Sequence, residues 1–250
     1  MNEKAVSNVL GFSLILGIVI LALSLVFSHT YFMINDAKGK VKYESMAQGF
    51  RKIQNIIEYA AYSKNPVKSI RLLINEGSIS VNSGGEMSVS VTSNNTTIYA
   101  YSGNMGVIEY AYMDTKVAFE NGGVWLLSRN PVMVSEPRIF IYKKTVNNET
   151  ILFIALTEIR GSGSVGGKGF AEIEIRYNSS ETKIFNTSGY VVMNITSEYA
   201  QAWKRYFDDL RGYTENTVLQ TELNGSTLKV SIYFNRLVLT RYVLDTTIST

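Results

Sequence analysis

Val9-Leu10-Gly11-Phe12-Ser13-Leu14-Ile15-Leu16-Gly17-Ile18-Val19-Ile20-Leu21-Ala22-Leu23-Ser24-Leu25-Val26-Phe27-Ser28 is a run of 20 residues without a single charge. One helix of that length crosses the hydrocarbon core of a bilayer, which a soluble core helix has no need to do. Beyond the run the helical period continues: Ile34, Ala37, Val41, Ala47, Phe50, Ile53, Ile57 and Ala60 recur at steps of three and four. The spacing predicts one helix over residues 5–64, on the order of 90 Å long at 1.5 Å per residue. Its segment 9–28 is apolar all round and suits lipid or other helices. Its segment 33–64 is an amphipathic stalk that wants one partner face.

Within the apolar run, Ser13, Gly17, Ser24 and Ser28 fall within about a 60° arc at 100° per residue. Small residues on one stripe let membrane helices approach closely and bond through hydroxyls, so this stripe is the expected helix-association face.

Upstream, Lys4-Ala5-Val6-Ser7-Asn8-Val9-Leu10-Gly11 joins a short polar leader to the apolar run. Over about the first 30 residues this resembles the class III signal peptides of archaeal type IV pilins, archaellins and pilin-like proteins. The resemblance implies a leader of residues 1–4, a processing site between Lys4 and Ala5, and a prepilin peptidase as partner. It also implies that the apolar helix is retained and packs with its copies, or with other pilin-like subunits, as the core of a filament.

After the helix, Asn65-Pro66 is a stop, because proline cannot donate the next backbone hydrogen bond and restricts the residue before it. From Ser69 the period becomes two. Ser78–Val81, Ser88–Val91, Glu172–Ile175 and Leu228–Ile232 alternate polar with apolar residues, as strands with one buried face do. Turn clusters such as Asn82-Ser83-Gly84-Gly85, Asn121-Gly122-Gly123 and Asn224-Gly225-Ser226 separate them. Residues 138–142 and 150–156 read as a hairpin, with the second strand central because both its faces are apolar. The glycine-rich stretch 161–169 reads as a flexible loop.

One helix, residues 197–211, interrupts the strands. Tyr199, Ala202, Trp203, Tyr206, Phe207 and Leu210 share a face, Thr196 or Ser197 can cap its start, and Gly212 suits its stop. The expected fold class is therefore α+β. A long N-terminal hydrophobic and amphipathic helix precedes an antiparallel β-sandwich-like domain, residues 69–250, with one short packed helix.

With no cysteine, disulfides, cysteine–zinc sites and thiol nucleophiles are excluded. A net charge of +3 without a long basic run gives no nucleic-acid interface. Gly167-Lys168 lacks the remaining glycine and hydroxyl of a phosphate loop, having Ser162 and Gly169 at those positions. His29, the only histidine, stands where the apolar run meets its polar flank. Glu172 with Glu174, and Asp208 with Asp209, read as solvated charge rather than an acid and base. No cofactor and no enzymatic activity is expected.

Seven triplets begin Asn-X-Ser/Thr, at Asn94, Asn95, Asn148, Asn178, Asn186, Asn194 and Asn224. They number about twice the chance expectation and mark candidate N-glycosylation sites. Lys38, Lys40, Lys42, Arg51 and Lys52 follow the apolar run, which by positive-inside counting would keep the C-terminal part in the cytoplasm. Large domains translocate largely regardless of that charge, so a single-pass membrane protein with an extracellular β domain is expected. The function expected is a pilin-like surface subunit, with self-assembly, the membrane, and S-layer or surface glycans as partners. The alternatives are a permanent single-pass anchor that carries a binding module without polymerising, and ordinary secretion after Ser24 or Ser28.

Overall fold

The computed structural model describes residues 3–64, 67–144, 149–212 and 219–250, with the side chains of 3–10, 32 and 35–41 excepted. Two helices are described, and strands dominate the rest. Helix α1 (Glu3–Ser63) is continuous, with no proline to break its ladder. It ends at Lys64, whose φ of 51° places it in the left-handed conformation that closes helices. The predicted stop at Asn65-Pro66 lies outside the described residues.

The strands follow as β1 (Val67–Ile74), β2 (Ser78–Asn82), β3 (Glu86–Ser93), β4 (Thr96–Asn104), β5 (Val107–Tyr112), β6 (Thr115–Glu120), β7 (Gly123–Leu127) and β8 (Val132–Ser135). Then come β9 (Ile139–Lys144), β10 (Glu149–Arg160), β11 (Gly163–Gly166), β12 (Gly169–Phe185) and β13 (Gly189–Thr196). Helix α2 (Ala200–Gly212) precedes β14 (Leu219–Asn224), β15 (Thr227–Phe234) and β16 (Arg236–Ser249).

They form three sheets, ordered β1-β12-β16-β10-β9, β11-β2-β5-β6-β7-β8 and β14-β15-β13-β3-β4. Pairing is antiparallel except between β10 and β16, which run parallel from Ile151/Arg236 to Arg160/Asp245. The expected hairpin is present, with Phe140 opposite Phe153, and β10 is interior to its sheet. The stretch 161–169 is not a plain loop: Gly163–Gly166 pairs with β2. Ladder hydrogen bonds need only backbone, so a segment with almost no apolar side chains still became an edge strand.

The chain divides into a unit Met1–Ser45 and a unit Met46–Thr250. In the first, Gly11–Tyr31 is long and apolar enough to cross a membrane, and none of it is buried. The second begins inside α1 rather than after it. Met46, Phe50, Ile53, Ile57, Ala60 and Ala61 are all buried, so the packed face of the stalk starts at Met46. Ile34, counted in the predicted stripe, is 48% exposed.

Two cores organise this second unit. In one, the buried face of α1 packs with Ile79, Val81, Ile108 and Phe119 of the second sheet and with Ile74, Ile173 and Leu244 of the first. Gln54, buried among them, donates from Nε2 to the carbonyls of Gly122 (2.7 Å) and Glu136 (2.9 Å). Arg138 clamps Glu58 through two hydrogen bonds of 2.7 and 2.8 Å, the fork geometry that gives arginine–carboxylate pairs their specificity. The other core joins the third sheet and α2 to Ala118 and Trp125 from the opposite face of the second sheet, and to Leu152, Ile154 and Leu237 of the first. Strand β6 is buried on both faces because it belongs to both cores.

Candidate functional site

Of the residues singled out in the sequence, Lys4 and Ala5 lie in the first turns of α1. Ser13, Gly17, Ser24 and Ser28 are exposed on that helix. Ser24 Oγ donates to the Ile20 carbonyl at 2.8 Å, which satisfies the hydroxyl within the helix and leaves its oxygen's lone pairs outward. His29 is exposed on the same helix.

The sequons separate by backbone setting. Asn94 and Asn95 form the tight turn between β3 and β4, with φ of 49° and 58°, and both are exposed, as are Asn186 and Asn224. Asn178 is exposed beside the register shift in β12, and its Nδ2 donates to Asp245 Oδ2 at 2.8 Å. Asn194 is the exception: half-buried in β13, it is paired on both sides, by β15 and β3. Its Nδ2, the atom a glycan would occupy, donates to Ser88 Oγ at 3.0 Å. Asn148 lies outside the described residues. The acidic pairs serve as surface charge: Glu172 meets Arg71 and Glu174 meets Arg176, while Asp208 meets Lys204 and Arg211 on α2.

A polar cluster that no sequence motif marks lies elsewhere in the second unit. Lys116, Ala118 and Glu120 share one face of β6, and Glu109 stands opposite Ala118 on β5. The turn after Glu120 needs positive φ at both central residues, and Asn121 (44°) and Gly122 (80°) provide it. Facing the cluster is the start of α2. Ser197 caps that helix, with its Oγ accepting from the Tyr199 amide at 3.0 Å.

Glu120 is buried to 2% exposure. Its carboxylate accepts from Ser197 Oγ at 2.8 Å and Trp203 Nε1 at 3.1 Å, and from the Gly85 amide. Burial nonetheless dominates and pushes its pKa up to about 7, with the hydrogen bonds from Ser197, Trp203 and Gly85 offsetting only part of it. Tyr199 donates its hydroxyl to Glu109 Oε2 at 3.1 Å, and burial together with the Glu109 charge raises its pKa. Lys116 bridges Glu198 at 2.9 Å and Glu109 at 3.5 Å. Burial pulls its pKa down, but those two carboxylates outweigh it and the pKa is raised.

These groups line a cavity of about 350 Å³, closed by the β2–β3 turn on one side and the β14–β15 turn on another. Gly85 is obligatory there, since a Cβ would sit 2.2 Å from the Thr196 carbonyl oxygen. Among the described residues no group of three or more His, Cys, Asp or Glu side chains is placed to hold a metal.

Glu120 makes stability depend on pH. Its folded pKa lies above the ordinary 4.5, so the folded chain holds a proton the unfolded chain has released, and stability falls as pH rises from about 4.5 to about 7. The shift corresponds to about 3 kcal/mol. Asp208, whose pKa is lowered despite burial by Lys204 and Thr221, acts in the opposite sense, losing its contribution as pH falls. Denaturant titrations of wild type and Glu120→Gln in parallel isolate Glu120. Their stability difference is expected to change across pH 4.5–7 and to level off above, and a constant difference would remove the assignment.

A family of unknown function, DUF7289, matches residues 4–248. Two uncharacterized proteins of Archaeoglobus fulgidus are similar to the chain. One is 26% identical and covers 82% of this chain and 84% of its own, and the other is 24% identical and covers 83% and 82%. Among solved structures, the crystal structure of the ywiB protein from Bacillus subtilis aligns at 8% identity and a TM-score of 0.16, covering 69% of this chain and 96% of that one. That score carries no argument about this fold. The family match takes in the apolar helix, both cores and nearly all of the last strand, and on that extent the chain belongs to the DUF7289 family.

Proposed function

We propose that this protein is an archaeal type IV pilin-like subunit of the cell surface. It is held in the membrane as a precursor, processed between Lys4 and Ala5, and assembled through its N-terminal helix, with the β domain outward for adhesion or surface contacts. The family match and the apolar helix fit a membrane-anchored surface protein. The observation that carries the finer reading is the division of labour within α1. Residues 11–31 are an uncovered apolar span, whereas Phe50, Ile53 and Ile57 of the same helix are buried as a wall of the β domain. A helix made this way carries in one continuous element both a wall of the β domain and a segment that is equally at home in lipid or among identical helices. Transfer between those two environments carries little hydrophobic cost.

Mass spectrometry of the N-terminal peptide, from membranes and from sheared surface material, tests the reading. A chain beginning at Ala5 is the expected result, and replacing Lys4 with a residue the peptidase rejects is expected to leave the precursor in the membrane and stop assembly. An intact Met1 in both fractions would replace this reading with a permanent single-pass anchor, and a start at Leu25 or His29 with ordinary secretion.

A further inference from the structure

The geometry points to the cavity beside β5, β6 and the start of α2 as a binding site for a neutral, polyhydroxylated ligand, a sugar residue. At about 350 Å³ it falls near the lower end of the range for small-molecule sites, about 300–1,000 Å³, which favours a ligand of one or two rings. Its walls come from segments far apart in sequence, and its polar groups are held by one another. Tyr199 is fixed by Glu109, Lys116 by Glu109 and Glu198, and Ser197 by Glu120. A site whose groups are already oriented pays little further ordering entropy when a ligand enters.

The class of ligand follows from the charges. An anion would face Glu109, Glu120 and Glu198 with only Lys116 to receive it. A cation would have to compete with Lys116, which already occupies both Glu109 and Glu198. An apolar ligand would strip water from Glu109, Lys116 and Glu198 without replacing it. Hydroxyl groups meet none of these obstacles. Each carboxylate has about four acceptor positions, and those of Glu109 and Glu198 are only partly used by Lys116 and Tyr199. Lys116, with two of its three N–H groups on Glu109 and Glu198, retains one that can donate to a ring or hydroxyl oxygen.

The inference rests on reading the β domain as the part that makes surface contacts. Its test is separate from that of helix processing. The full chain, purified in a phosphocholine detergent so that no glycoside headgroup competes, is examined by saturation-transfer NMR with glucose, galactose, mannose and N-acetylglucosamine. Lysine serves as the cationic comparison and glucuronate as the anionic one. At least one neutral sugar is expected to give a signal, with affinity reduced about tenfold or more in Lys116→Met and Glu198→Gln, since each removes a charged hydrogen-bonding group. Asn186→Gln, exposed between β12 and β13 and outside the cavity wall, is expected to bind as wild type. Glu198 is 60% exposed, so its variant remains folded even if Lys116→Met does not. Absence of any sugar signal, a signal unchanged by Glu198→Gln, or binding of lysine or glucuronate in place of the neutral sugars would overturn the inference. A chain that begins at Ala5 but binds no sugar leaves the pilin-like reading standing, and sugar binding by a chain that retains Met1 does the reverse.

Discussion

A soluble fragment beginning at Val67 is expected to have no cooperative unfolding transition, whereas one beginning near Lys42 unfolds cooperatively. The difference is the stretch from Met46 to Ala61, which forms a wall of the core it shares with the first and second sheets. Phe50, Ile53 and Ile57 are exposed by 1% or less, and burying each contributes about 1.5–3 kcal/mol. Their sum is of the same order as the whole stability of a domain, about 5–15 kcal/mol. Deleting them would also uncover Ile79, Ile108 and Phe119 and leave the Gly122 and Glu136 carbonyls without the Gln54 amide. Thermal unfolding followed by near-ultraviolet circular dichroism distinguishes the two fragments. Adding a peptide of residues 44–64 to the shorter one is expected to restore the transition. A shorter fragment that melts cooperatively within a few degrees of the longer one would show that the stretch from Met46 to Ala61 is an appendage rather than a wall of the core.

Trp203→Ala is expected to cost about 4 kcal/mol or more. Truncating a buried tryptophan costs about 3–5 kcal/mol, and Trp203 is fully buried with its ring centroid 4.5 Å from that of Trp125 and 6.0 Å from that of Phe207. The substitution also deprives the Glu120 carboxylate of a donor, and leaving a buried acceptor short of a partner costs about 1–3 kcal/mol more. Trp203→Phe keeps most of the apolar contact and loses the N–H, so it falls between wild type and alanine. Its penalty is expected to be smaller below pH 4.5, where Glu120 is protonated and asks less of its donors, than above pH 7. A Phe variant whose penalty is the same at both ends of that range would remove the Trp203–Glu120 bond from the account.

Much of the local structure is legible in the sequence. The uncharged run 9–28 and the three- and four-residue period beyond it specify α1, because helix geometry depends only on neighbours along the chain. The Asn-Gly turns and the two-residue alternation of β2, β3, β12 and β15 are legible for the same reason. The aromatic face and Ser197 cap of α2 are too. Sequence alone also marks the apolar run as long and uncharged enough to cross a membrane, a property of length and composition only.

Tertiary structure decided the rest. Nothing in Thr115-Lys116-Val117-Ala118-Phe119-Glu120 marks Glu120 as buried, since its burial is set by Trp203 and Ser197, more than 70 residues away. Ser88, 106 residues from Asn194, decides that this sequon sits within a sheet rather than in a turn. The parallel pairing of β10 with β16, the conversion of Gly163–Gly166 into an edge strand, and the start of the packed stalk at Met46 are likewise non-local. Each is a contact between segments that share no periodicity, and its energy exists only once the sheets have brought them together.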